Sequence, residues 1–155
     1  MDVAARRATA DEVPALVALL AAGLAAQAAD RGGTIWAARD APDVSDAALA
    51  ALVTADDAAV FAGTIDGAVV GAALVTTEAM RDGTVLARLG AVHVEDAARE
   101  VGVGEAMLDA VVAWAAGRGC IGLDAIVLPG NRAAKNFFES AGLTARAIVV
   151  HRRLP

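Results

Sequence analysis

Residues 58 to 77 read AAVFAGTIDGAVVGAALVTT. Two apolar, β-favouring runs meet at Asp66-Gly67, a pair that accepts the positive φ of a two-residue hairpin turn. The middle of the chain is thereby committed to antiparallel pairing. A second turn signal, RDGT at 81 to 84, leads into another strand-like run, VLARLGAVHVE at 85 to 95. Any fold for this chain is built around that meander.

The flanks read differently. VAARRAT (3 to 9) is a first strand, and the run from about 10 to 29 is a helix. Residues 30 to 44 read as a loop broken by Gly32, Gly33 and Pro42, after which Ser45 caps a short helix through DAALAALV. Beyond the meander, Met107, Leu108, Val111, Val112 and Ala115 follow helical spacing over about 104 to 117. IGLDAIVL (121 to 128) is a strand, and Pro129-Gly130 a turn. Asn131 caps a helix whose apolar side holds Ala134, Phe137, Phe138 and Ala141, with Gly142 as its stop. LTARAIVVHRRL reads as a last strand. The order β, α, α, β, β, β, α, β, α, β predicts a single α/β (α+β) domain over 1–155, a mixed sheet flanked by helices.

Composition removes several functions. The 155 residues carry a net charge of −6, which disfavours broad nucleic-acid binding, since that needs phosphate neutralisation. It permits a cationic small substrate. Cys120 is the only cysteine and His93 and His151 the only histidines, so neither a disulfide within the chain nor a Cys- or His-rich metal site is expected. VPALVALLAAGLAAQAA (13 to 29) imitates a signal or membrane segment. Asp11 and Glu12 precede it, Gln27 interrupts it, and the Thr9–Glu12 spacing is that of a capping box. We therefore expect an ordinary helix in a cytoplasmic protein with no membrane or nucleic-acid partner.

REVGVGEAML (99 to 108) then poses a question, because glycine weakens a helix and two sit at the mouth of this one. A helix start presents unpaired N–H groups and partial positive charge, a place for phosphate or carboxylate. Gly102 and Gly104 let an anion approach the backbone, and Arg99 can add charge. A Walker loop needs a Lys followed by Ser or Thr, which GVGEAM lacks. A dinucleotide fingerprint needs a third glycine where Met107 stands.

Arg99-Glu100-Val101-Gly102-Val103-Gly104 resembles the R/Q-x-x-G-x-G/A signature of the GNAT N-acetyltransferases. AVHV before it resembles that family's central strand. VLPGNRAAKNFFESAGL (127 to 143) resembles its following segment, with Val127, Asn131, Ala134, Phe137, Glu139 and Gly142 in register. The resemblance implies a mostly antiparallel sheet splayed between its central strands. It implies acetyl-CoA as cosubstrate and no metal. Val92, His93 and Val94 would face the pantetheine arm. Arg99, Glu100, Val101, Gly102, Val103 and Gly104 would hold the pyrophosphate, with Asn131 near the pantetheine arm and Phe138 at the position beside the departing thiol. It implies acetyl transfer to an amine of a small molecule or peptide. An acyl-CoA-binding regulatory module with little turnover is the alternative.

Two departures bear on chemistry. Many members have a tyrosine at the position of Phe138, a proton donor to the leaving thiolate, and this chain has no tyrosine. Phe137 and Phe138 read first as core. No general base stands out: His93, Glu95 and Glu78 are the candidates, with Asp124 on the next strand, and strand alternation turns His93 away from Val92 and Val94. His151, beside two arginines, reads as surface. The segment after Leu143 suits one strand, so the acceptor cover is short or comes from a partner chain, which leaves a homodimer open. The acceptor pocket would then rely on the 30 to 44 loop, including Trp36, and on the turn from Arg81 to Thr84, with a core plug as the equal alternative for Trp36.

Overall fold

The computed structural model describes residues Met1–Pro155. Five strands form one sheet in chain order: β1 (Val3–Arg7), β2 (Ala58–Ile65), β3 (Ala68–Ala79), β4 (Val85–Val94) and β5 (Leu123–Ala125). The first three pairings are antiparallel and β4–β5 is parallel. The Asp66-Gly67 turn adopts positive φ at both residues, 49° and 82°, as the dipeptide predicts. The helices are α1 (Val13–Ala28), α2 (Gly33–Arg39), α3 (Asp46–Thr54), α4 (Val103–Gly117) and α5 (Arg132–Ser140).

Strand alternation sorts the meander into two cores. Ala59 and Phe61 of β2 and Ala73 and Val75 of β3 face α4, where they meet Val103, Met107, Leu108 and Val111. Val60, Ala62, Ala72 and Leu74 face the other way, onto Leu16 and Leu20 of α1 and Leu49 of α3. Both faces of the sheet are thus covered, which is why β2 reads as a continuous apolar run. These five leucines are fully buried, each contributing about 1.5–3 kcal/mol of transfer free energy. Residues 10–28 are long and apolar enough to cross a membrane by length and composition. Here α1 buries one face on the sheet.

Small residues set how close α4 comes. A Cβ at Gly63 would stand 2.6 Å from Val103 Cγ1, and one at Gly71 would stand 2.9 Å from Met107 Cε. The first turns of α4 therefore rest almost on the backbone of β2 and β3.

Three expectations need correction. The stretch 30 to 44 is not all loop: Gly32 turns the chain at φ 85°, and α2 follows, burying Trp36 to 4% exposure. Trp36 is thus a core plug. The strand expected over 121 to 128 is three residues long, because the chain parts from β4 after the pair Leu89↔Ala125. The last strand does not form, since nothing in the chain pairs with residues 144–155, which are exposed throughout.

The capping box is present ahead of α1. The Thr9 N–H donates to Glu12 Oε1 at 2.9 Å, and Arg6 grips both Glu12 oxygens at 2.8 and 2.7 Å. Arg6, with help from Thr9, holds the Glu12 carboxyl at a pKa of about 2, below its ordinary 4.5. The folded state therefore binds this proton less readily than the unfolded chain. The stabilisation is full above pH 4.5 and fades as pH falls toward 2. Glu12→Gln is expected to lower stability at neutral pH by about 1–2 kcal/mol after solvent screening. It should also flatten the acid limb of a stability-versus-pH curve measured by urea unfolding.

Candidate active site

Two features converge at the end of β4. The first is a divergence of strands. β5 pairs with β4 only at Ala87↔Leu123, Arg88↔Asp124 and Leu89↔Ala125, so residues 90 to 94 have no strand on that side. The parting coincides with a bulge: Leu74 of β3 faces Ala91 while Val75 faces Leu89, and Gly90 is passed over. A bulge bends and twists its strand, which turns β4 away from β5. Pro42 lies above it, since a Cβ on Gly90 would stand 3.4 Å from Pro42 Cγ. The segment between α1 and α3 thus packs over the bulge of β4.

The second feature is the mouth of α4. Glu100 and Gly102 both sit at positive φ, 66° and 99°. Glu100 is one of only two non-glycine residues in that region. Such a backbone turns successive N–H groups toward one point, an anion-binding nest. The first main-chain bond of the helix runs from the Ala106 N–H to the Gly102 oxygen, and the N–H groups of Gly102, Val103, Gly104 and Glu105 have no protein acceptor. The two glycines serve different ends. Gly102 supplies the left-handed turn. Gly104 makes room for a ring, because a Cβ there would lie 3.1 Å from Phe137 Cε1.

The other sequence candidates fall into place around these features. Arg99 folds back over its own loop, donating from Nε to the Val94 oxygen at 3.1 Å and pairing with Asp96 at 2.9 Å. Val101 is exposed beside it and Val103 is buried in the core. Val92 and Val94 turn toward the α4 side. His93 points to the opposite face, against α1, where only the missing side chain of Gly23 admits it: a Cβ there would lie 2.9 Å from His93 Cβ. His93 lines an open cleft of about 480 Å³ with Ala15, Ala18, Glu95 and Asp96. Burial and then the Arg99 cation hold its pKa below the ordinary value, against the pull of Asp96 and Glu95.

The carboxylates are dispersed. Glu78 lies at the far end of β3, beside Arg88 at 3.7 Å. Glu95 is exposed, and Asp124 is held by Arg146, which depresses its pKa. Glu78 is therefore remote from His93 and Glu95, which share the open cleft against α1. Asn131 caps α5 by accepting from the Ala134 N–H at 3.0 Å. It also donates to Asp30 Oδ2 at 3.2 Å, tying the end of α1 to the loop after β5. Asp30 was not a sequence candidate, and no local pattern links it to a residue 101 positions away. Phe138 is buried and packs edge-on to Phe137, with centroids 5.1 Å apart, so its first role is core. No group of three or more His, Cys, Asp or Glu side chains is placed to hold a metal ion.

A mixed sheet that parts beside an anion nest offers a groove suited to an extended ligand that carries an anionic group. The profile of the acetyltransferase (GNAT) family matches residues 21–143, and the chain belongs to that family. Its members' general activity is acetyl transfer. The fold agrees with solved structures. The aminoglycoside acetyltransferase AAC(6')-Iy, in complex with the bisubstrate analogue CoA-S-monomethyl-acetylneamine, superposes with a TM-score of 0.74 at 19% identity, over 100% of this chain and 99% of the other. A mutant of the BH1408 protein from Bacillus halodurans gives 0.81 at 16% identity, with both chains fully covered. An aminoglycoside acetyltransferase from an uncultured soil metagenomic sample, in complex with trehalose, gives 0.72 at 16%, covering 99% of this chain and 95% of that one. A comparison with curated protein sequences found no match.

Proposed function

We propose that the chain is a cytoplasmic N-acetyltransferase that moves an acetyl group from acetyl-CoA to an amine, with a small cationic molecule as the favoured acceptor. The observation that carries this reading is the pairing of a free N–H nest at α4 with unpaired β4 edge leading away from it. The nest suits a pyrophosphate. The edge from Gly90 to Val94 offers main-chain groups to an amide-bearing arm, as a strand would. When bound, acetyl-CoA supplies the activated thioester. The chain contributes placement, with β4 N–H groups near the bulge available to polarise the carbonyl.

The acceptor side is the segment between α1 and α3. Asp30, Asp40 and Asp43 lie on it, and the net charge of −6 favours a cation. A neighbouring fold bound to a CoA-linked aminosugar supports a small-molecule amine. Phe138 cannot donate a proton, so the departing thiol takes its proton from water or leaves as thiolate. The direct test is thiol release from acetyl-CoA against a panel of polyamines, aminosugars and peptide amines, alongside melting shifts with CoA and with NAD. A melting shift with CoA but not NAD, and release with one class of amine, is the expected result. No shift with CoA or acetyl-CoA would overturn the assignment. Binding without release across the panel would favour a regulatory module.

A further inference from the structure

Charged side chains form a line across the sheet beside the point where β5 parts from β4. Ala87, Leu89, Leu123 and Ala125 pack toward α4, so alternation turns Arg88 and Asp124 to the α1 face. Glu78 faces the same way, since Leu74 of the same strand lies in the core against α1. On this face Pro42 covers the bulge at Gly90, while Val92 and Val94 turn to the other. The charges pair off unevenly. Glu78 and Arg88 stand 3.7 Å apart. Asp124, the register partner of Arg88, has both carboxylate oxygens taken by Arg146: Nε donates to Oδ1 at 2.8 Å and Nη2 to Oδ2. Arg146 keeps that carboxyl below its ordinary pKa, with Arg88 a smaller contributor. The two partners are held with unequal firmness. Asp124 is fixed in the sheet with its side chain 26% exposed, whereas the Arg146 side chain is 67% exposed. Arg146 also lies in the segment 144–155, which makes no main-chain hydrogen bond to the rest of the chain. A fixed carboxylate is thus neutralised by a guanidinium on a removable tether.

We propose that Asp124 is the seat for a cationic group of the acceptor, and that Arg146 fills it in the free chain as an internal stand-in. The proposal rests on the reading of the chain as an acetyltransferase for a cationic amine, and narrows the acceptor class. When Arg146 leaves, Glu78, Arg88 and Asp124 are two carboxylates to one arginine, and an incoming cation restores the balance. The exchange replaces one charge-assisted contact with another, so it costs little. Position favours the same role. The unpaired stretch of β4 begins at Gly90, directly after the last pair, Leu89↔Ala125, and Asp124 is the neighbour of that pair. A cation held there lies beside the bulge on the Pro42 side. The favoured acceptors therefore carry two amines, one held by Asp124 as ammonium and one left free for the thioester. A monoamine that spends its only charge on Asp124 has no second amine to offer.

Titration of the purified full chain with 1,4-diaminobutane, read by calorimetry and by the NMR signal of the Arg146 Nε–H, tests it. The diamine is expected to bind and to move that signal to the position of a free arginine. Arg146→Gln should bind the diamine about two- to fivefold more tightly, the worth of a largely exposed ion pair. Asp124→Asn should weaken binding by about tenfold or more, and in that background Arg146→Gln should change nothing further. Circular dichroism checks that both variants fold. Diamine binding that Asp124→Asn leaves unchanged would overturn the proposal. So would an Arg146→Gln chain that binds no more tightly than wild type, or no binding by either chain. None of these readouts needs CoA, so a missing melting shift with CoA would sink the acetyl-transfer reading separately.

Discussion

Gly104→Trp is expected to abolish the melting shift that CoA gives the wild-type chain and to weaken CoA binding by about 100-fold or more, a loss of about 2.7 kcal/mol. The reason is local. The direction a side chain must take from Gly104 is already occupied by the Phe137 ring, 3.1 Å from where the first carbon would sit. An indole must either drive Phe137 aside or swing into the space before the N–H groups of Gly102, Val103 and Gly104. The first choice disturbs the edge-on pair with Phe138 and the second fills the nest. Gly104→Ala asks Phe137 for only a few tenths of an ångström and should bind CoA nearly as wild type does. A folded tryptophan variant, checked by circular dichroism, that binds CoA as wild type does would falsify the assignment of the nest. Gly102 provides a second handle. Its φ of 99° strains any L residue although open space surrounds it, so Gly102→Val should impair the nest through the backbone instead of through bulk.

How far the sequence could be followed depended on how local each determinant is. Asp66-Gly67 and its flanking runs specify their hairpin within twenty residues, and both faces of β2 and β3 follow from alternation. The nest was legible because its two glycines are two positions apart in the chain. Their separate duties were not, since Phe137 approaches Gly104 from another helix. Asp30 was invisible for the same reason: its partner Asn131 belongs to a different element. Helix α2 is hard to read because Gly32 and Gly33 have the composition of a loop, whereas they make a corner between two helices. The final strand was misplaced in an instructive way. Residues 147 to 154 have a strand's composition, and the chain lacks a neighbour for them. Propensity names a preference and pairing decides whether it is met.

Gly33→Ala carries the other large expectation, and it separates the acceptor side from the donor side. A Cβ at Gly33 would overlap the carbonyl of Ala28 and crowd the Gln27 oxygen at 2.7 Å. Both are main-chain atoms in the last turn of α1, so no rotamer change relieves the clash. The corner between α1 and α2 must open, lifting Trp36 from its buried seat and shifting the Pro42 roof over the β4 bulge. Overpacking of this kind typically costs about 1–3 kcal/mol, and a backbone partner places this case at the upper end. Urea unfolding should show that loss. The nest follows the C-terminal end of β4, and none of its N–H groups depends on α2, so the melting shift with CoA should persist. For an acceptor identified in the amine panel, KM should rise while CoA affinity holds. If CoA binding fell in step with acceptor binding, α2 and its roof would belong to the donor groove, and the division of the site along β4 would be wrong.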